Sequence, residues 1–254
     1  MKCYIYQALG NSFIITTHLP KINYSLLVQR LSLKYQFDGL ITFNQKTNKM
    51  RIYNKDGSLA SMCGNGIRCL TNFIYDNFSK QDTYIIKTDD SNKKVEVIKT
   101  SPFLCKVNLG WPKLIKGLIE IRSVTIKNRT FVINPIFIST YNIVIFTPKI
   151  DKNDINIYIE ELYNQEIFKK KFNITFFEIL NYKTIRTLTY ERGVGFTKSC
   201  GSGAACASYI SYLLHNTFNK VKVIQEEGEL EVEIDDDIYL EGTSAFVKEV
   251  SFDV

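Results

Sequence analysis

Two seven-residue stretches share one pattern: Cys63-Gly64-Asn65-Gly66-Ile67-Arg68-Cys69 and Cys200-Gly201-Ser202-Gly203-Ala204-Ala205-Cys206. Each runs into a segment with apolar residues at helical spacing, so each places a thiol at or just before a helix start. There the unpaired backbone N–H groups and the helix dipole favour negative charge, which predicts a lowered pKa and a usable base or nucleophile. The glycines let a ligand come close to the backbone, whose N–H groups can hold a carboxylate. A single turn of this kind is explained equally well as a tight turn around a buried cysteine. Two copies before two helices point to a pair. Thiols facing one another across a cleft suit one reaction: a thiolate takes a proton from a carbon, a thiol returns one on the other face, and the stereocentre inverts. The two helix N-termini would stabilise the carboxylate as it gains charge. Cys69 and Cys206 lie further into their helices and are expected to pack, while Cys3 and Cys105 fall in strand-like segments of the core.

The elements that must position these turns repeat as well. After each helix come two alternating segments, Thr83–Thr88 and Lys94–Lys99 in the first half, Val221–Gln225 and Glu229–Ile234 in the second. A further strand closes each half, Leu104–Leu109 and Ile238–Leu240. Upstream, helical stretches around Tyr24–Leu33 and Asn156–Leu162 follow strand-like segments beginning at Asn11 and Asn142, and the strands Met50–Tyr53 and Thr184–Tyr190 lead into the turns. The fold class expected is α+β with two pseudo-symmetric domains, each a mixed β-sheet or barrel wrapped around a central α-helix. The halves would be residues 1–115 with Cys63 and 116–254 with Cys200, divided near Trp111–Lys116, the last strand being able to return to the first half.

Composition narrows the function. The 254 residues are 45% hydrophobic, enough for a core, which excludes disorder. The net charge of +6 is mild, and its densest run, Lys169-Lys170-Lys171, is a solvated face, so no nucleic-acid partner is expected. Only His18 and His215 are present, which excludes a multi-histidine metal site. The start lacks a signal peptide and no apolar run is long enough for a membrane span, so a cytoplasmic, reducing location and no membrane partner are expected. Six cysteines there need a reason other than a disulfide framework. A redox or sensing role, with Cys63 and Cys200 forming a reversible disulfide, is the alternative class, though no Cys-x-x-Cys motif supports it. A non-catalytic amino-acid-binding module would not need both thiols.

The stretch Asn54-Lys-Asp56-Gly57-Ser58 through Cys63-Gly64-Asn65-Gly66-Ile67-Arg68-Cys69 resembles the first signature of the diaminopimelate epimerases. Glu191-Arg192-Gly193-Val194-Gly195 through Cys200-Gly201-Ser202-Gly203-Ala204 resembles the second, and Leu9-Gly10-Asn11-Ser12-Phe13, Asp38-Gly39 and Asn173 add to the likeness. The resemblance spans essentially the whole chain. It implies a pyridoxal-independent amino-acid epimerase or racemase without cofactor or metal, a place in lysine biosynthesis, and a homodimer as a family-level expectation. It also implies that Cys63 and Cys200 form the acid/base pair and that the amides of Gly64, Asn65, Gly201 and Ser202 cradle the reacting carboxylate. Glu191 and Asn11 would lie near the amine, with Asn54, Asn173 and Arg192 on the far carboxylate of a long substrate. A guanidinium fork at Arg192 suits that task.

The chain departs from the pattern where the substrate side chain should lie. The family's Gly-Asn-Pro-His turn falls at Ser139-Thr140-Tyr141-Asn142, which keeps neither the proline nor the histidine. Its asparagine becomes Thr140 unless Asn142 takes its place, the aspartate of Gly-Asn-Asp-Phe is Ser12, and the glutamate after Gly-Val-Gly is Phe196. Thr140, Asn142 and Phe196 are therefore candidate pocket residues. Either L,L-diaminopimelate, taken to the meso form, or a different amino acid such as histidine fits this pattern.

Overall fold

Strands Lys2–Ala8 and Asn11–Thr16 form a hairpin closed by Leu9 and Gly10, both at positive φ (47° and 75°), as a two-residue hairpin turn demands. In the computed structural model, which describes residues 1–18, 20–114, 122–165 and 172–252, this hairpin starts the first of two compact units. That unit comprises Met1–Asn108 with Glu241–Val254, and the second comprises Leu109–Leu240. The expected 115/116 boundary and the Lys169–Lys171 run lie outside the described residues.

Both units repeat one order of pairing. In the first, Asn11–Thr16 crosses over through helix α1 (Tyr24–Ser32) to the parallel strand Gly39–Asn44, which pairs antiparallel with Lys49–Asn54. The short strand Leu59–Ala60 folds back on the latter before helix α2 (Gly64–Asn77), whose crossover ends in the parallel strand Thr83–Lys87. Strands Asn92–Thr100 and Phe103–Gly110 then continue antiparallel, and Ala245–Ser251 pairs with the first strand of the chain. The second unit uses the same sequence of pairings. Thr140–Phe146 passes through helix α3 (Lys152–Tyr163) to the parallel Asn173–Asn181, then to antiparallel Thr184–Glu191 and the short Gly195–Thr197. Helix α4 (Gly201–Leu213) leads to the parallel strand Lys220–Gln225, followed by antiparallel Gly228–Ile234.

The helices divide into two kinds. α1 and α3 lie on the outside of their sheets and bury one stripe each: Val28 and Leu31 for α1, Ile155, Ile159 and Leu162 for α3. Each such side chain contributes roughly 1.5–3 kcal/mol. α2 is buried at every position from Gly64 to Ile74, and α4 at nearly all of its length, so each is the centre about which its strands wrap. The polar residues of α2 are accommodated internally: the Thr71 hydroxyl donates to the Ile67 carbonyl and the Asn72 amide to that of Ser244. α4 stops at Leu213, short of the helical spacing that runs on to Phe218. His215 turns left-handed (φ 57°), with its N–H on the Tyr212 carbonyl and that of Asn216 on the Ser211 carbonyl, a reciprocal pair that ends a helix.

Candidate active site

The outer helices are capped by residues chosen for stability. Asn23 accepts from the Leu26 N–H at 3.1 Å, and Asp151 accepts from those of Asn153 and Asp154. The two central helices are capped by cysteine instead, a poor substitute for asparagine or aspartate. Cys63 and Cys200 hold nearly the same extended backbone (φ −143° in both, ψ 120° and 108°), and each Sγ accepts at 3.4 Å from the amide three residues on, Gly66 and Gly203. The amides of Gly64 and Asn65, and of Gly201 and Ser202, belong to first turns and lie outside the helix's own hydrogen-bond ladder. All six cysteines are thiols; Cys3, Cys69, Cys105 and Cys206 are fully buried, as packing positions require.

In the first unit Asn65 links Asn11 to Arg68: its Nδ2 donates to Asn11 Oδ1, and its Oδ1 accepts from Arg68 Nη2 at 2.7 Å. Gly66 packs closely over an apolar floor; a Cβ there would meet Ile41, Ile52 and Met50 at 3.4 Å. Asn54 is exposed, its amide on the Ser58 hydroxyl at 3.0 Å.

In the second unit the surroundings of the thiol are polar. Cys200 is only 6% exposed, and its Sγ lies 3.4 Å from the Ser202 hydroxyl. The buried side chain of Gln225 clamps its peptide from both sides: Oε1 accepts the Cys200 N–H at 3.2 Å, while Nε2 donates to the Cys200 carbonyl and to Thr187 Oγ1. Under Gly203 lies a hydroxyl pair, Thr175 and Thr189, 3.1 Å apart, and a Cβ on Gly203 would stand 2.6 Å from each. Glu191 accepts from Thr197 Oγ1 at 2.8 Å, and burial pushes its carboxyl above the usual range. Asn173 Oδ1 accepts the Arg192 N–H at 3.0 Å, and the Arg192 side chain is exposed.

The lowered thiol pKa expected at both turns is corrected at Cys200. Burial pushes this thiol well above its ordinary value and the neighbouring Glu191 carboxylate adds to the shift, outweighing the Ser202 hydroxyl and the Gly203 amide. A helix N-terminus favours a thiolate, but loss of water costs it more.

The candidate pocket residues fare differently. Asn142 is fully buried and its side chain is engaged within the sheet, donating to the Thr140 carbonyl and accepting from Thr175 Oγ1. Thr140 is half-buried at the start of its strand. Phe196 packs edge-on to Tyr190 at 5.2 Å, and Tyr190 in turn lies against Tyr163. Gln225 and the Thr175–Thr189 pair were not singled out from the sequence. The one available signal was a polar residue ending the alternating VKVIQ run on its inward side. Among the described residues no cluster of three His, Cys, Asp or Glu side chains could hold a metal, and no helix is long and apolar enough to cross a membrane.

Comparison with known proteins gives a consistent picture. The model of the family described as diaminopimelate epimerase matches residues 3–115 and 137–247. A diaminopimelate epimerase of Elusimicrobium minutum is 32% identical over 262 residues, covering 95% of this chain and 93% of that protein. One from Methanococcus aeolicus is 29% identical over 284 residues, with 95% of each covered. Among solved structures, a hydroxyproline epimerase from Agrobacterium vitis superposes with a TM-score of 0.78 at 10% identity, covering 98% of this chain and 90% of that one. A probable proline racemase from Agrobacterium radiobacter gives 0.75 at 12% identity, covering 100% and 93%. These structural likenesses show the shared fold.

Proposed function

Because the chain belongs to the diaminopimelate epimerase family, we propose that it inverts an amino-acid α-carbon with two thiols, Cys63 and Cys200, as base and acid. The chain is an isomerase, an amino-acid epimerase or racemase; the mechanism and the substrate are the proposal. The observation that carries it is the pair of cysteine N-caps. Two central helices in one chain forgo a strong cap for a sulfur that accepts from the first turn, in almost the same backbone geometry.

In one direction the Cys63 thiolate takes the α-proton and the Cys200 thiol delivers one to the opposite face; the return reaction exchanges the roles. The high pKa of Cys200 suits a proton donor, since its thiol stays protonated until the carbanion forms. The first-turn amides of Gly64, Asn65, Gly201 and Ser202 stabilise the carboxylate as charge builds on it, and Glu191 and Asn11 receive the amine. Arg192, with Asn54 and Asn173, holds a second carboxylate, and the substrate of this reading is L,L-diaminopimelate, converted to the meso form. No cofactor takes part. In D2O the purified protein should wash out the α-protons of L,L-diaminopimelate by NMR. Cys63→Ser and Cys200→Ser should each lose nearly all of this exchange, and normal turnover by either variant ends the two-thiol mechanism.

Two observations favour a second substrate, an amino acid without a distal carboxylate, such as histidine. Asn142, the residue placed to replace the family's lost asparagine, has its side chain buried and engaged. Phe196, where the family carries a carboxylate, joins an aromatic group with Tyr190 and Tyr163. The same NMR assay with a panel of L-amino acids decides: exchange confined to diaminopimelate removes this reading.

A further inference from the structure

Beneath the Cys63 turn lies a charge with no part in the chemistry above. Arg68, in the second turn of α2, is fully buried. Its Nη2 donates to Asn65 Oδ1 at 2.7 Å, its Nε lies 3.5 Å from the Thr243 carbonyl, and its Nη1 has no hydrogen-bond partner. Both acceptors are neutral, and among the described residues no carboxylate pairs with the guanidinium. Burying an uncompensated cation is unfavourable, and a guanidinium does not shed its proton to escape that cost.

Among the described residues, three thiols feel this charge: Cys105 from strand Phe103–Gly110, Cys69 from α2, and Cys63. Two of them are poor counter-charges. Cys105 and Cys69 are fully buried, which pushes Cys105 to about 12 and Cys69 well above its ordinary value; the Glu241 carboxylate, which faces Cys105, raises it further. Cys63 differs in both respects, being half-buried and receiving the Gly66 N–H on its sulfur. The corresponding position in α4 is Ala205, and the charge beside Cys200 is the carboxylate of Glu191.

We propose that Arg68 is a positioning residue for Cys63: its buried guanidinium is the counter-charge of the Cys63 thiolate, and its bond to Asn65 steadies the turn that presents that thiol. The resting thiolate then sits at Cys63 and the thiol at Cys200. The inference rests on the two-thiol reading, but its test needs no substrate.

The full-length protein, free of substrate, is alkylated with iodoacetamide from about pH 5 to about pH 10, and Cys63 and Cys200 are quantified separately by peptide mass spectrometry. In the wild type Cys63 should react with a midpoint below that of Cys200. Arg68→Met should raise the Cys63 midpoint by about one unit or more and slow its alkylation at neutral pH roughly tenfold, leaving Cys200 unmoved. Arg68→Lys, which keeps the charge and loses the fork, should restore most of the Cys63 profile. An unmoved Cys63 midpoint in a folded Arg68→Met protein overturns the proposal. So does a wild type in which Cys200 titrates first, a result that needs no variant to fold. A protein that exchanges α-protons with an unmoved Cys63 profile loses Arg68's role and keeps the reaction; the predicted profile without exchange does the reverse.

Discussion

Cys63 caps its helix over Met50, Ile41 and Ile52, with a buried arginine one turn below; Cys200 caps its helix over two threonine hydroxyls, with a glutamate beside it and a glutamine on its peptide. The two cysteines hold almost the same φ and ψ, and each sulfur meets its amide at the same distance. A duplicated turn therefore need conserve only the cap geometry and its glycines, while its surroundings differ: Arg68 of the same helix on the Cys63 side, Glu191 and Gln225 of neighbouring strands on the Cys200 side. Divergence of that kind gives two sulfurs with the same cap geometry unequal surroundings, as the proposed base and acid require.

The strongest way to break this comparison is through the glycines that touch the two floors. Gly203→Ala would drive its Cβ to 2.6 Å from Thr175 and Thr189, β-branched side chains held to each other and to Asn142. It should destabilise the protein by up to about 3 kcal/mol in urea unfolding. Gly66→Ala meets only the flexible ends of three apolar side chains at 3.4 Å, and should fall within about 1 kcal/mol of wild type, on the stabilising side. Equal losses for the two would mean that the floors do not differ in the way described.

Gln225→Leu tests the clamp that only the second turn has. It strips partners from the Cys200 N–H and carbonyl and from Thr187, at a cost of about 2 kcal/mol. Turnover should fall roughly tenfold as the thiol loses its fixed position. Alkylation of Cys63 should be unchanged, and a parallel loss there would show that the clamp is not local to Cys200.

Glu191→Gln gives the smallest effect and sharpens the charge difference. Burial raises the Glu191 pKa above its ordinary value of 4.5, so the folded state holds the proton more tightly than the unfolded chain. That contribution to stability is complete below the unfolded value and is lost as pH rises through the folded one. The glutamine variant escapes this loss, so its stability relative to wild type should grow as pH rises from about 4 through the raised folded-state pKa and then level off. Removing the carboxylate should also lower the alkylation midpoint of Cys200, because Glu191 is the second contributor to its high pKa. A flat stability difference, or an unmoved Cys200, would count against the opposite charges of the two turns.

Much of this molecule was legible in its residues. The alternation of TYIIKT, VKVIQ and ELEVEI marked strands that the fold forms within a residue or two, and the periodicity at Tyr24 marked α1. Elements without a clean period were missed. Strand Arg129–Ile138 carries Pro135 in its middle, and Asn173–Asn181 is buried on both faces at first, so its apolar run shows no alternation.

The sequence by itself determined the two cysteine caps, their glycines and the helices they open, because caps and periodicities depend on residues a few positions apart. Only the tertiary structure decided that Arg68 is buried and that Glu191 and Gln225 meet Cys200. Arg68 reaches Thr243 across 175 residues of chain and Gln225 reaches Cys200 across 25, and burial raises the Cys200 thiol against its own helix. Desolvation and Coulomb interactions act through space, and space is set by strands that the sequence lists far apart.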